Sequence, residues 1–150
     1  MSIAMVFPGQ GSQSLGMLAS LEGEDEVRVT FAEAARVLGF DLWALTQSGP
    51  AQRLDSTEYT QPAMLAAGVA IWRVWQRRGG APPGAVAGHS LGEFTALVCA
   101  GALELAAAVD LVRFRGKAMQ EAVPAGAGAM AAILGLDDSK VAEACAEAAL

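Results

Sequence analysis

Ser90 lies in Gly88-His89-Ser90-Leu91-Gly92, a G-x-S-x-G pentapeptide between a short apolar run, Ala85 to Gly88, and an apolar stretch of helical character that begins at Leu91. That setting gives the spacing a chemical meaning. A serine on a tight strand-to-helix turn is exposed at the C-terminal edge of a sheet, and flanking glycines relieve the crowding that side chains would create there. At a helix N-terminus, the dipole and the free N–H groups would stabilise an oxyanion developing on a substrate carbonyl. The same pentapeptide arises by chance in glycine-rich chains, and it is the strand-turn-helix context that favours a nucleophile here. A nucleophilic serine needs a base. The only histidine, His89, is its chain neighbour, and adjacent residues at a strand end point to opposite sides, so the imidazole is poorly placed to take the Ser90 proton. His89 is expected to pack or hydrogen-bond behind the turn. Two possibilities stay open: Ser90 is not catalytic, or its base comes from a segment outside these 150 residues.

Two further groups have the right chemistry to join such a serine. Gly9-Gln10-Gly11-Ser12-Gln13 follows the first apolar run. Its glycines let the backbone approach a ligand, and a backbone N–H there would be a second oxyanion donor beside that of Leu91. It has neither the spacing nor the lysine of a phosphate loop, and taken alone a turn is its plainer reading. Arg113, Arg115 and Lys117 lie on one helix at spacing two, so the outer pair projects roughly opposite to the middle residue. A planar guanidinium suits a carboxylate, which it holds by two parallel hydrogen bonds. The residues alone do not single out Arg115 over Arg113, and a solvated helix face is the plainer reading of all three.

The elements that must position these groups follow from periodicity and punctuation. Ser2 to Phe7, stopped by Pro8-Gly9, predicts a buried strand of a parallel sheet, and Ala85 to Gly88 a second. Helices are predicted over Val27 to Leu38, ended by Gly39; from a Thr60 N-cap with Pro62 in the first turn to Gly79-Gly80; over Leu91 to Ala100, closed by Gly101; and over Leu105 to Val123. Pro124, Gly126 and Gly128 suggest a hinge, followed by a strand over Ala129 to Leu136, a turn at Asp137-Asp138-Ser139 and an Ala-rich helix from Val141. Strands alternating with helices predict an α/β domain with a mainly parallel sheet. Residues 1–124 read as its first part, and 125–150 as the opening strand and helix of a second unit.

Composition excludes several classes. With 150 residues, 53% of them hydrophobic, the chain is a globular sequence rather than a disordered tail. No apolar run approaches the roughly 18 to 20 residues that cross a bilayer, so no membrane association is expected. Met1 to Phe7 lacks the basic segment of a secretory signal, and the cytoplasm is the expected compartment. Ten basic against sixteen acidic residues give a net charge of -6 without a basic tract, which argues against a nucleic-acid partner. Cys99 and Cys145 lack CxxC spacing or a nearby ligand, so no metal or cofactor is expected, and both read as buried small hydrophobes.

Five segments taken together resemble one family: Phe7-Pro8-Gly9-Gln10-Gly11-Ser12-Gln13, Thr60-Gln61-Pro62-Ala63, Gly88-His89-Ser90-Leu91-Gly92-Glu93, Arg115-Gly116-Lys117-Ala118-Met119-Gln120 and Gly128-Ala129-Met130-Ala131-Ala132. In this order they are similar to the malonyl-CoA:acyl carrier protein transacylases of bacterial fatty acid synthesis. The acyltransferase domains of polyketide synthases carry the same signals. The Met start just before the first strand and the stretch Asp41 to Pro50 favour the discrete bacterial enzyme. The resemblance implies a hydrolase-like α/β core with an inserted ferredoxin-like small subdomain, only partly present here. It also implies malonyl-CoA and phosphopantetheinylated acyl carrier protein as substrates. Ser90 matches the nucleophile that carries malonyl as an ester between the two thiols. Gln10 and Leu91 match the oxyanion-hole positions, Arg115 the arginine that binds the malonyl carboxylate, and Gln61 a glutamine lining the site. Such an arginine would penalise acetyl, which leaves it unpaired.

Length is the departure from that family. Members of that family are about twice as long, as domain sizes allow for a core with a small insert, and the family's base histidine and its partner belong to the second half. This chain is therefore expected to stop inside the insert and to be inactive or very weak alone. Phe94 stands where many members have tyrosine. Docking of an acidic carrier protein would need a local basic patch, for which Arg73, Arg77, Arg78, Arg113 and Lys117 are the candidates. Other readings are an α/β-hydrolase-type esterase or thioesterase, which needs no Arg115, a polyketide synthase acyltransferase fragment, and a non-catalytic fragment.

Overall fold

The computed structural model describes residues 3–123, 127 and 133–149. It is an α/β arrangement rich in helix, with a two-stranded parallel sheet among the described residues. Strand β1, Ala4–Phe7, pairs with β2, Ala85–Gly88, in the register Ala4 to Ala85 and Phe7 to Gly88. Between them come α1 (Asp25–Leu38), α2 (Leu42–Ser48), α3 (Ala51–Leu54) and α4 (Thr57–Arg77), and after them α5 (Leu91–Cys99), α6 (Leu105–Glu121) and α7 (Asp138–Ala148).

The local sequence accounts for most of these bounds. α1 buries Val27, Thr30, Phe31, Ala34 and Leu38, a stripe of helical period, and opens with Asp25 and Glu26 against the positive end of its dipole. Gly39 ends it in the left-handed region at φ 77°. α4 is buried almost all round from Thr60 to Ala67 because it is the central helix, contacted by α1, α5 and α6. It starts one turn before the expected Thr60 cap. Ser56 holds the N-cap position, and the buried Thr60 hydroxyl donates back to the Leu54 carbonyl at 2.5 Å, so Pro62 sits inside the helix rather than in its first turn.

Three further expectations differ from the structure. The strands are not fully buried: Phe7 faces the core, but Val6 on the opposite face is 71% exposed, because no described element covers that side of the sheet. Cys145 is exposed rather than buried, since α7 buries none of its side chains, whereas Cys99 is half-buried. Ile133 to Leu136 form no strand, and Ala129 to Ala132 of that expected strand, with Pro124, Gly126 and Gly128 of the expected hinge, lie outside the described residues. Short α2 and α3, which the sequence reading passed over, fill the stretch around Pro50. No described helix is long and apolar enough to cross a membrane.

Candidate active site

The site forms where β1 and β2 run out. Beyond Gly88 the chain reverses into α5 through Ser90, which occupies the helix N-cap position at φ 54°, ψ -109°. A non-glycine residue with positive φ and this ψ is strained by about 1–3 kcal/mol. The turn is also too tight for side chains at either glycine. A Cβ on Gly88 would stand 1.9 Å from the Gly92 carbonyl carbon, and one on Gly92 would stand 2.2 Å from the Phe7 oxygen. Both glycines are therefore steric requirements of the turn.

The strain redirects a hydroxyl. Ser90-x-x-Glu93 has the sequence of a helix-capping box, in which serine would accept from the N–H three residues on. Ser90 makes no such cap. Its exposed Oγ instead accepts a hydrogen bond from Arg115 Nη2 at 2.9 Å. The Leu91 N–H, first of α5, is one of those a helix leaves without an internal partner.

Helix α6 delivers Arg115 by straddling the start of α4. Gly116 is the contact point: a Cβ there would lie 2.6 Å from the Thr57 oxygen. On one flank Glu58 takes both Arg113, at 3.2 Å, and Lys117, at 3.5 Å. On the other flank Arg115 Nη1 donates to Gln61 Oε1 at 2.9 Å, and the guanidinium carbon stands 5.8 Å from the centre of the Phe94 ring. Arg115 has no ion pair among the described residues. The two arginines that the sequence did not separate differ in their surroundings: Arg113 is paired with Glu58, whereas Arg115 faces the serine.

The glycine loop is fastened beside the turn. Gln10 Nε2 donates to Thr57 Oγ1 at 3.2 Å, Gln13 Nε2 to Asp55 Oδ1 at 2.9 Å, and the Gly11 N–H to Gln13 Oε1 at 2.8 Å. A Cβ on Gly9 would sit 3.0 Å from the His89 oxygen and 3.4 Å from His89 Nδ1. The loop thus lies against the turn, and the His89 ring lies beside the loop while remaining exposed. Ser90, Leu91, Arg115 and Gln61 are brought together by direct contacts, and Gln10 by its loop. The five basic residues considered for carrier docking are each already in an ion pair, Arg73 with Glu33, Arg77 with Glu26, Arg78 with Glu24, and Arg113 and Lys117 with Glu58.

Two neighbours escaped the sequence reading of the site. Phe94 is one helical turn beyond Ser90, and Met119 one turn beyond Arg115, with its Sδ 3.2 Å from Gln61 Nε2. The i, i+4 spacing from each polar residue was the available signal. Cys99, on the far part of α5, has its thiol pushed up to about 12, first by burial, with the Arg73 charge acting in the opposite sense. It is a packing residue.

Known proteins resemble this chain over nearly its whole length. The chain is 63% identical over 147 residues to the malonyl CoA-acyl carrier protein transacylase of Escherichia coli K12, covering 97% of this chain and 48% of that protein. The structure of the malonyl CoA-acyl carrier protein transacylase of Coxiella burnetii superimposes with a TM-score of 0.93 at 57% identity, over 100% of this chain and 48% of that one. A malonyl-transacylase solved in complex with a type II PKS acyl-carrier protein gives a TM-score of 0.92 at 60% identity, over 99% of this chain and 48% of that one. The chain spans about half the length of the curated relatives it matches. The acyl transferase domain description itself matches residues 4–148. That match runs from the first strand into the last helix and takes in the serine turn, the arginine helix and the glycine loop, so the chain belongs to the acyl transferase domain family.

Proposed function

We propose that this chain is the nucleophile-bearing half of a malonyl-CoA:acyl carrier protein transacylase of fatty acid synthesis. The observation that carries the reading is the pairing of Ser90 Oγ with a guanidinium that has no carboxylate of its own among the described residues. A simple esterase has no use for an uncompensated cation at its nucleophile. An enzyme that must hold a dicarboxylic half-thioester does, because the carboxylate then replaces a missing partner.

In this account Ser90 Oγ attacks the thioester carbonyl of malonyl-CoA and its proton passes to a base outside these 150 residues. The carbonyl oxygen becomes an oxyanion facing the N–H groups of Leu91 and Gln10. Collapse breaks the carbon–sulfur bond, CoA leaves as a thiol with the proton, and malonyl stays on Ser90 as an oxygen ester. The phosphopantetheine thiol of acyl carrier protein then attacks that ester by the same steps in reverse, and Ser90 recovers its proton. Arg115 holds the carboxylate throughout. Gln61 holds Arg115 from behind, and the glycine loop carries Gln10 to the oxyanion.

Residues 1–124 form, on this reading, the first part of a hydrolase-like core, and 125–150 begin a ferredoxin-like subdomain. The exposed surface of α7 supports the second assignment, since a helix with no buried residue awaits partners. The test is substrate discrimination in the protein carried to the full length of its relatives. Arg115→Ala should lower kcat/KM for malonyl-CoA by about a hundredfold or more, the scale of losing a buried charge-paired partner, and leave acetyl-CoA turnover no slower. Equal losses for both substrates would refute the carboxylate role.

A further inference from the structure

Gln61 is fully buried, yet its side-chain amide is satisfied at both ends. Its Oε1 accepts from Arg115 Nη1 at 2.9 Å and its Nε2 donates to Met119 Sδ at 3.2 Å. Arg115 and Met119 are one turn apart on α6, so that helix brackets the amide from two sides. The amide fits this bracket in only one sense. Reversed, its NH₂ would face the guanidinium donors, and its oxygen would face a sulfur that has no proton to give.

We propose that Met119 is a positioning residue for carboxylate recognition: its sulfur holds the Gln61 amide with the oxygen toward Arg115, and so holds the guanidinium facing Ser90, where it would pair with a malonyl carboxylate. The proposal rests on the malonyl-transfer reading above. The physical reason is a buried donor. Met119 is 38% exposed, but Gln61 is fully buried, so without an acceptor at 119 its Nε2 loses the partner it has there, which is costly enough for the amide to turn toward another. Its oxygen then leaves Nη1, and Arg115 keeps only the Ser90 hydroxyl. Methionine differs from a leucine of similar volume chiefly by this weak, polarisable acceptor.

The experiment uses the protein at the full length of its relatives, with malonyl-CoA and acetyl-CoA as substrates. Met119→Leu should raise KM for malonyl-CoA and lower the malonyl-to-acetyl ratio of kcat/KM by about tenfold, the scale of one orphaned buried donor. Met119→Gln, which restores an acceptor, should keep that ratio within about threefold of wild type, a span of less than 1 kcal/mol. Gln61→Leu should lower the ratio as Met119→Leu does, and the double variant should fall no further, because both changes release the same guanidinium. Without substrate, the Gln61 side-chain amide protons should exchange slowly in the wild type and faster in Met119→Leu. An undiminished ratio in Met119→Leu, equal losses in the Leu and Gln variants, effects that multiply in the double variant, or unchanged amide exchange would each overturn the proposal. A wild-type protein with no preference for malonyl would instead overturn the underlying reading, and Arg115→Ala separates the two failures.

Discussion

At Ser90 the backbone holds a serine at positive φ, and the return for that strain is a hydroxyl aimed at Arg115 rather than at its own helix. Ser90→Gly should therefore abolish acylation and yet raise stability by about 1 kcal/mol, a few degrees in Tm, read by thermal melting. A drop in Tm would show that the turn is unstrained or that the Arg115 contact outweighs the strain. Thiol chemistry gives a second check at this scale. With its thiol raised to about 12, Cys99 has almost no thiolate at pH 8, and its alkylation should grow about tenfold per pH unit toward pH 11. Exposed Cys145 should be modified first by a thiol reagent at pH 8. The serine, its glycines and the loop were legible in the sequence because a tight turn demands particular residue types. Arg115 was legible only through family resemblance, since its distinction from Arg113 lies in Glu58, which is 55 positions from Arg113 and signals nothing locally.

Glycines decide how the elements meet. Gly92→Ala would drive a Cβ into the Phe7 carbonyl and separate α5 from β1, and we expect a loss of at least about 2–3 kcal/mol by chemical denaturation. Gly11→Ala is the control: its φ of 105° disfavours alanine, but nothing stands within 4 Å, so the loss should be nearer 1 kcal/mol. Comparable losses would mean that backbone conformation, and not close approach, sets the need for glycine at the turn. Gly116→Ala should push α6 off Thr57 and carry Arg115 with it, weakening malonyl discrimination as well as stability. Element types were readable from periodicity for α1, α5 and α6, where one face is buried. The start of α4 was misplaced because Thr60 has the residue type of a cap, while its actual role, a buried hydroxyl bonded to the Leu54 carbonyl, depends on tertiary packing.

Across the molecule, the β1–β2 sheet is covered on the α5 side, whereas Ala4, Val6, Ala85 and Ala87 share the opposite, exposed face. Parallel strands are ordinarily covered on both faces, and the exposure of Val6 was invisible to a reading that took an apolar run to mean a buried one. Apolar surface of this kind should make the 150 residues alone bind an apolar fluorescent dye or self-associate, and both signals should fall when the sequence is carried to its relatives' length. Equal dye binding by the two would show that the face stays open in the longer protein. On the proposed reading, the same extension should supply a base for Ser90. The most direct test of the whole account is peptide mass spectrometry, after brief incubation with malonyl-CoA, of the protein carried to its relatives' length. It should find malonyl on the peptide containing Ser90, absent from Ser90→Ala and removed by holo acyl carrier protein. Malonyl on another residue, or labelling that survives Ser90→Ala, would contradict it.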